Sequence, residues 1–240
     1  MAANHCRFHT GEPKPPPMSN FPFTTVLFDL DGTLVDSNLD LAPAVNHALT
    51  LEGRETVALE DVRKFIGGGA ALMLERALEA TGGAVTEARM AELTSHLLEY
   101  YWAHIADNTV AYPGLLTALD SLAEHGCKLA VCTNKLEAPA RQLLEILGMT
   151  GRFAAIYGGD TLGLDRAKPA PDMLLAAAAD CGGGRAAMIG DSTYDVRAAR
   201  NAGMPVVTYR YGYHDVPVAE LGGDVMIDHY DELVGALAKM

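Results

Sequence analysis

One feature constrains this chain more than any other: a strand–helix alternation that stops and then resumes. Short apolar runs rich in strand-forming residues occur at Phe23–Leu30, Lys128–Thr133, Phe153–Tyr157, Ala187–Gly190 and Pro205–Tyr209, with a weaker one at Val225–Ile227. Between the later runs the apolar spacing becomes helical. Leu115, Leu116, Leu119 and Leu122 lead to a stop at Gly126. Pro139–Leu147 and Pro171–Ala179 read as helices with proline near their starts, and Tyr194–Ala202 reads as a helix ended by Gly203. Such alternation requires right-handed crossovers. It predicts an α/β fold with a mostly parallel, Rossmann-like sheet, whose ligands bind beyond the carboxyl ends of the strands.

From about Asn38 to Asn108 the alternation is absent. Four helical stripes replace it: Leu41, Val45, Ala48 and Leu49; Leu59, Val62, Phe65 and Ile66; Leu72, Leu74, Ala77 and Leu78; and Met90, Leu93, Leu97, Tyr100 and Tyr101. The third follows the triple glycine Gly67–Gly69. A helical insertion placed directly after a carboxylate-rich strand end predicts a cap over that end. The expected organisation is a catalytic core at 23–37 and 110–240, an all-helical cap (lid) at 38–109, and a flexible extension at 1–22. The extension is read from the four prolines of Glu12–Pro17, and translation could equally begin at Met18.

Charge narrows the partners. The chain has 18 basic and 31 acidic residues, a formal net of -13, which disfavours a nucleic-acid binder. A small anionic substrate would then need a locally positive site or a bound cation. No run of about 18 uncharged apolar residues predicts a membrane span, and no secretory signal is evident. Cys6, Cys127, Cys132 and Cys181 form no C-x-x-C pair, which suits reduced thiols and a cytoplasmic location. Oligomeric state is not legible.

Four polar clusters sit where strands should end. Asp29 and Asp31 are two apart in FDLDGT, so an extended chain puts both carboxylates on one face. Thr133 and Asn134 follow the AVC run; their bland reading is a helix cap. Lys168 precedes Pro169, which bars it from helical geometry and holds it in a loop. Asp191 and Asp195 follow MIG, either as helix-start acids or as part of an oxygen-rich site for a hard ion such as Mg2+.

In this order the four clusters closely match the haloacid dehalogenase superfamily of phosphohydrolases. Within it, FIGGGAALMLERAL (Phe65–Leu78), AYPGLLTALDSL (Ala111–Leu122), TNK and YRYGYHD (Tyr209–Asp215) are similar to bacterial phosphoglycolate phosphatases. The resemblance implies Asp29 as nucleophile forming an aspartyl phosphate, and Asp31 as general acid and base. It implies Mg2+ held by Asp29, the Asp31 carbonyl and Asp191, with Asp195 in support. It implies Lys168 balancing charge, and Thr133, Asn134 and Lys168 contacting the phosphoryl group of a small phosphorylated metabolite. Phosphosugar or pyrophosphate hydrolysis, a sugar phosphomutase and a non-catalytic binding module remain open alternatives. Asp31 argues against a dehalogenase, whose halide leaving group needs no acid. Lys64, the one lysine in the insertion, does not establish phosphonatase chemistry. Arg63, Lys64 and Arg76 read as solvated helix residues, and His214 as a partly exposed loop histidine.

Overall fold

The computed structural model describes residues 21–240. The expected extension and the Met18 start lie outside them, except Phe21 and Pro22. Phe21 stacks on His125, 4.7 Å between ring centroids, and packs against the core, so the folded body begins slightly earlier than expected.

In chain order the first elements are β1 (Thr25–Phe28), β2 (Val35–Asp36), α1 (Asn38–Leu51), α2 (Leu59–Arg63), α3 (Ala70–Ala80), α4 (Glu87–Ala103) and β3 (Val110–Ala111). Then come α5 (Leu115–Glu124), β4 (Lys128–Cys132), α6 (Glu137–Ile146), β5 (Ala155–Tyr157), α7 (Asp172–Asp180), β6 (Ala186–Gly190), α8 (Thr193–Asn201), β7 (Val206–Tyr209), β8 (Val225–Ile227) and α9 (Leu233–Leu237). Every strand run read from the sequence is present: four are trimmed by one to four residues where the ends turn into loops, Val225–Ile227 is unchanged, and Ala187–Gly190 gains Ala186.

The main sheet is parallel throughout, in the order β5-β4-β1-β6-β7-β8. The chain moves outward from β1 through β4 to β5, then returns to β6 on the other side of β1. This reversal is the topological switch where such sheets open a crevice. Phe28 is in register with both Val131 and Ile189, so β1, β4 and β6 end side by side. The residues that follow them, Asp29, Thr133 and Asp191, therefore meet above the middle of the sheet. β1 is wholly buried, which is why its sequence is a continuous apolar run rather than an alternating one.

The region 38–103 is helical as expected. α1 packs against α2, α3 and α4. The stripe residues Leu41, Val45, Ala48, Leu49, Leu74, Leu78, Leu93 and Leu97 are all buried. The second stripe is weaker than its spacing suggests: α2 has five residues, and Leu59 is 42% exposed. Both chain crossings into and out of this region pair as the antiparallel ribbon β2–β3, which four short residues could not announce. Asp40 in the first turn of α1 fastens the return crossing, accepting hydrogen bonds from the backbone and side chains of Asn108 and Thr109. No helix among the described residues is long and apolar enough to cross a membrane.

Candidate active site

The loop after β1 is tied back on itself. The N–H groups of Thr33, Leu34 and Val35 all donate to the Leu30 carbonyl, and Gly32 N–H donates to Val35. Gly32 has φ +85°, and a Cβ there would strike the Asp191 carboxylate. Gly212 meets the same carboxylate from the other side. Only glycine allows two backbones to close on that acid.

Within this frame the Lys168 ammonium, fully buried, lies 2.9 Å from Asp29 Oδ1 and 2.6 Å from Asp195 Oδ1. Among the described residues, Lys168 is the one polar partner of the buried Asp29 Oδ1. Asp195 Oδ2 accepts from the N–H groups of Asp191 and Ser192 and from Ser192 Oγ, at 3.1, 3.0 and 2.7 Å. Asp195 thus serves both as a helix-start acid for α8 and as the lysine's partner, and both of its oxygens are engaged. Asp191 accepts from Thr33 Oγ1 at 2.8 Å and from the Tyr213 N–H at 2.5 Å. Asp31 accepts from Ser37 Oγ at 2.6 Å and from Lys135 Nζ at 2.5 Å.

Burial dominates the electrostatics. It pushes the Asp29 carboxyl up to about 6, against the pull of Lys168 and with a further push from Asp195. Asp191 is raised well above the usual range, first by burial and then by Asp195 and Asp29. Burial opposes the charge on Lys168, but Asp195 and Asp29 outweigh it and hold its pKa above the ordinary lysine value. Lys135 behaves alike: Asp31 and Tyr101 outweigh its burial.

Asp29, Asp31, Asp191 and Asp195 thus share two ammonium groups, Lys168 and Lys135. That imbalance favours a hard cation, more so with an anionic substrate present. The donor set fits one. Oxygen atoms of Asp29, Asp191 and Asp195 lie within 4.8 Å of one another, and among the described residues Asp29 makes no side-chain contact there beyond Lys168.

Asn134 corrects an expectation. Its amide donates to the carbonyls of Gly67 at 3.0 Å and Lys168 at 2.9 Å, and accepts from the Lys168 N–H at 2.8 Å. Both amide hydrogens are engaged, so the Asn134 side chain is not free to grip a phosphoryl oxygen. It joins the β4 end, the lysine loop and the helical region. Thr133 is free in the relevant sense: its oxygen accepts from the Lys135 N–H at 3.3 Å, leaving its hydroxyl proton to donate elsewhere.

Asp29, Asp31, Thr133, Asn134, Lys135 and Lys168 line one cavity of about 570 Å³, closed on the other side by α1, α3 and α4. Asp191 and Asp195 are not in its wall. Sequence reasoning did not single out Lys135, Ser37, Thr33, Ser192 or Tyr213. Lys135 adjoins the Thr133–Asn134 pair, which was a usable signal. The others are small polar residues or one tyrosine among several, whose partners are set by the fold. The Tyr213 hydroxyl donates to Asp36 and accepts from the N–H groups of Ser37 and Asn38, so it caps α1 in place of Ser37, whose side chain serves Asp31. Arg63 and Arg76 also depart from expectation. Arg63 donates to the Tyr211 carbonyl and Arg76 to the Tyr194 hydroxyl, linking helical region and core, whereas Lys64 is exposed and pairs with Asp61.

The chain belongs to the haloacid dehalogenase-like hydrolase family, whose model matches residues 23–203. Among relatives, it is 41% identical over 213 residues to a phosphoglycolate phosphatase of Agrobacterium fabrum, covering 88% of this chain and 91% of that one. A phosphoglycolate phosphatase of Caulobacter vibrioides is 40% identical over 208 residues, covering 86% and 87%. The solved structure described as "a predicted phosphoglycolate phosphatase" from Haemophilus somnus superposes with a TM-score of 0.82 at 29% identity, over 90% of this chain and 98% of that one. Family and relatives together make the chain a phosphoric monoester hydrolase.

Proposed function

We propose that the chain is a Mg2+-dependent phosphatase that hydrolyses 2-phosphoglycolate to glycolate and phosphate through an aspartyl phosphate on Asp29. The observation that carries this reading is the buried Asp29 carboxylate beside Lys168 in the wall of a ligand-sized cavity. The names of the relatives point to the substrate.

In the first half-reaction an Asp29 oxygen forms a bond to phosphorus and the bond to the ester oxygen breaks. Asp31 gives that oxygen its proton. In the second, Asp31 takes a proton from water, whose oxygen attacks phosphorus and returns Asp29 as a carboxylate. Lys168 holds the nucleophile and offsets charge. The Thr133 hydroxyl donates to a phosphoryl oxygen. Asn134 positions the Lys168 loop, a role different from the one expected of it. Asp29, Asp191 and the Asp31 carbonyl would hold Mg2+, with Asp195 behind them, and the ion supplies charge neutralisation for the phosphoryl group. Residues 38–109 act as the lid over the core formed by 23–37 and 110–240, excluding water during transfer.

Phosphate release from 2-phosphoglycolate, sugar phosphates and pyrophosphate, each with and without Mg2+, tests the reading. Expected is a preference for 2-phosphoglycolate by about 10²-fold or more in kcat/KM, lost without the ion. A sugar phosphate or pyrophosphate turned over faster would overturn the substrate and leave the chemistry standing.

A further inference from the structure

The helical wall of the cavity is apolar for most of its extent, formed by Leu41, Ile66, Met73 and Leu97 among others. Its few polar groups therefore decide how a ligand is oriented. One of the residues that carry such a group is Tyr101, on α4. Tyr101 is 3% exposed and lines the cavity; the Lys135 ammonium is the polar group beside its hydroxyl oxygen, and among the described residues the hydroxyl proton has no acceptor. A buried hydroxyl whose proton has no acceptor is unfavourable, so such a group has an acceptor to meet.

Two further features converge there. The Lys135 ammonium lies 4.6 Å from the centre of the Tyr101 ring, lining the same cavity. Lys168, the other lysine in the wall, is already committed between Asp29 and Asp195. The start of α3 forms another part of the wall through Gly69, Ala70 and Ala71. The first intrahelical bond closes only at Met73, and no side chain caps the helix. The first turn, whose N–H groups have no intrahelical partner, thus borders a ligand-sized space at the positive end of the helix.

We infer that Tyr101, Lys135 and the first turn of α3 form a carboxylate subsite, which receives the end of the substrate remote from the phosphoryl group. This rests on the reading of the protein as a phosphatase for a small carboxylated ester. The Tyr101 hydroxyl donates to one carboxylate oxygen. Burial pushes its pKa up to about 12 against the pull of Lys135, so it remains a neutral donor at working pH. Lys135, paired with Asp31, supplies the compensating charge. The α3 N–H groups take the second oxygen. The subsite selects esters with an anionic tail and disfavours neutral ones, which would leave these donors buried and unpaired.

The test compares 2-phosphoglycolate with 2-hydroxyethyl phosphate, which keeps the size and the ester but replaces the carboxylate with a hydroxymethyl group. The quantity read is the ratio of their kcat/KM values. In the unaltered protein the ratio should be about 10²-fold or more in favour of the carboxylate. Tyr101→Phe should lower that ratio about tenfold, mainly by raising KM for the carboxylated ester. Lys135→Met should slow both esters because it also touches Asp31, yet lower the ratio further. If the unaltered protein does not distinguish the two esters, the substrate reading and the subsite fail together. If it does and Tyr101→Phe keeps the ratio intact, the subsite alone is wrong. Thermal melting confirms that the phenylalanine variant is folded.

Discussion

Asp195, which pairs with the Lys168 beside Asp29, and Tyr101, in the cavity wall, are both buried, and they are treated in opposite ways. Asp195 accepts from a lysine, two backbone N–H groups and a serine. Tyr101 donates to nothing. The contrast extends to their surroundings. At the strand ends Asp29, Asp31, Asp191 and Lys168 are fixed by one another and by a loop that folds back on the Leu30 carbonyl. On the helical side apolar side chains surround a few donors that wait. The fixed end positions charges that must not reorganise during phosphoryl transfer. The waiting end is completed by the substrate, and so it sets which ester is accepted.

The sharpest way to break this division is at the nucleophile. Asp29→Asn should reduce turnover by at least about 10⁴-fold while leaving the fold intact, as read by phosphate release and circular dichroism. Residual activity near that of the unaltered protein would move the chemistry away from the strand ends altogether. Lys168→Met comes next. It removes the one cation between two buried carboxylates and should destabilise the protein by about 3–5 kcal/mol, measured by urea unfolding, besides abolishing activity. An unchanged midpoint would mean that this end is less tightly built than its distances suggest.

The same division explains what the sequence can and cannot announce. Asp29, Asp31, Thr133 and Asp191 are legible because each follows within three residues an apolar run that reads as a buried strand, whereas Lys168 is marked by Pro169 and Asp195 by the start of α8. Parallel strands collect their carboxyl ends at one edge. The role of Asn134 is not legible, because an amide after a strand has many possible acceptors. Its acceptors, the carbonyls of Gly67 and Lys168, are 67 and 34 residues away in sequence. Lys135 and Tyr101 are hidden for a related reason. Helical spacing marks Tyr101 as buried, but burial in a core and burial against a cavity give the same periodicity. The β2–β3 ribbon is silent because two-residue strands carry no pattern.

Asn134 is where the two ends touch, so it tests whether they are separable. Asn134→Ala removes the tie to Gly67 and both bonds to Lys168. It should lower kcat/KM by about 10–100-fold, with a loss of stability of about 1–3 kcal/mol. Asn134→Asp keeps the acceptor for the Lys168 N–H but loses the donors to the Gly67 and Lys168 carbonyls. It should retain more stability than the alanine variant and shift the defect toward KM. If both variants act like the unaltered protein, the helical side closes without this tie.

The smallest effect is a linkage between pH, the fixed end and the ion. The folded-state pKa of Asp29 is raised from 3.8 to about 6, and that of Asp191 is raised as well, both chiefly by burial. Between the ordinary carboxylate value and about 6, the folded protein therefore binds more protons than the unfolded chain. Stability then falls as pH rises through that window in metal-free protein, the reverse of the usual carboxylate case. Above about 6 the site holds more of its negative charge, and a divalent cation relieves it. At about pH 7.5, Mg2+ at about a hundredfold above its dissociation constant should raise the melting temperature by about 5–10 °C. At about pH 5 the ion must displace protons first, and the rise should be clearly smaller. Calorimetry in chelator and in Mg2+ at both pH values measures the difference. Asp29→Asn should shrink it, because one of the two raised groups is gone. Equal shifts at both pH values would show that the ion does not bind at these carboxylates. The fixed end would then balance its charge through Lys168 and Lys135 alone.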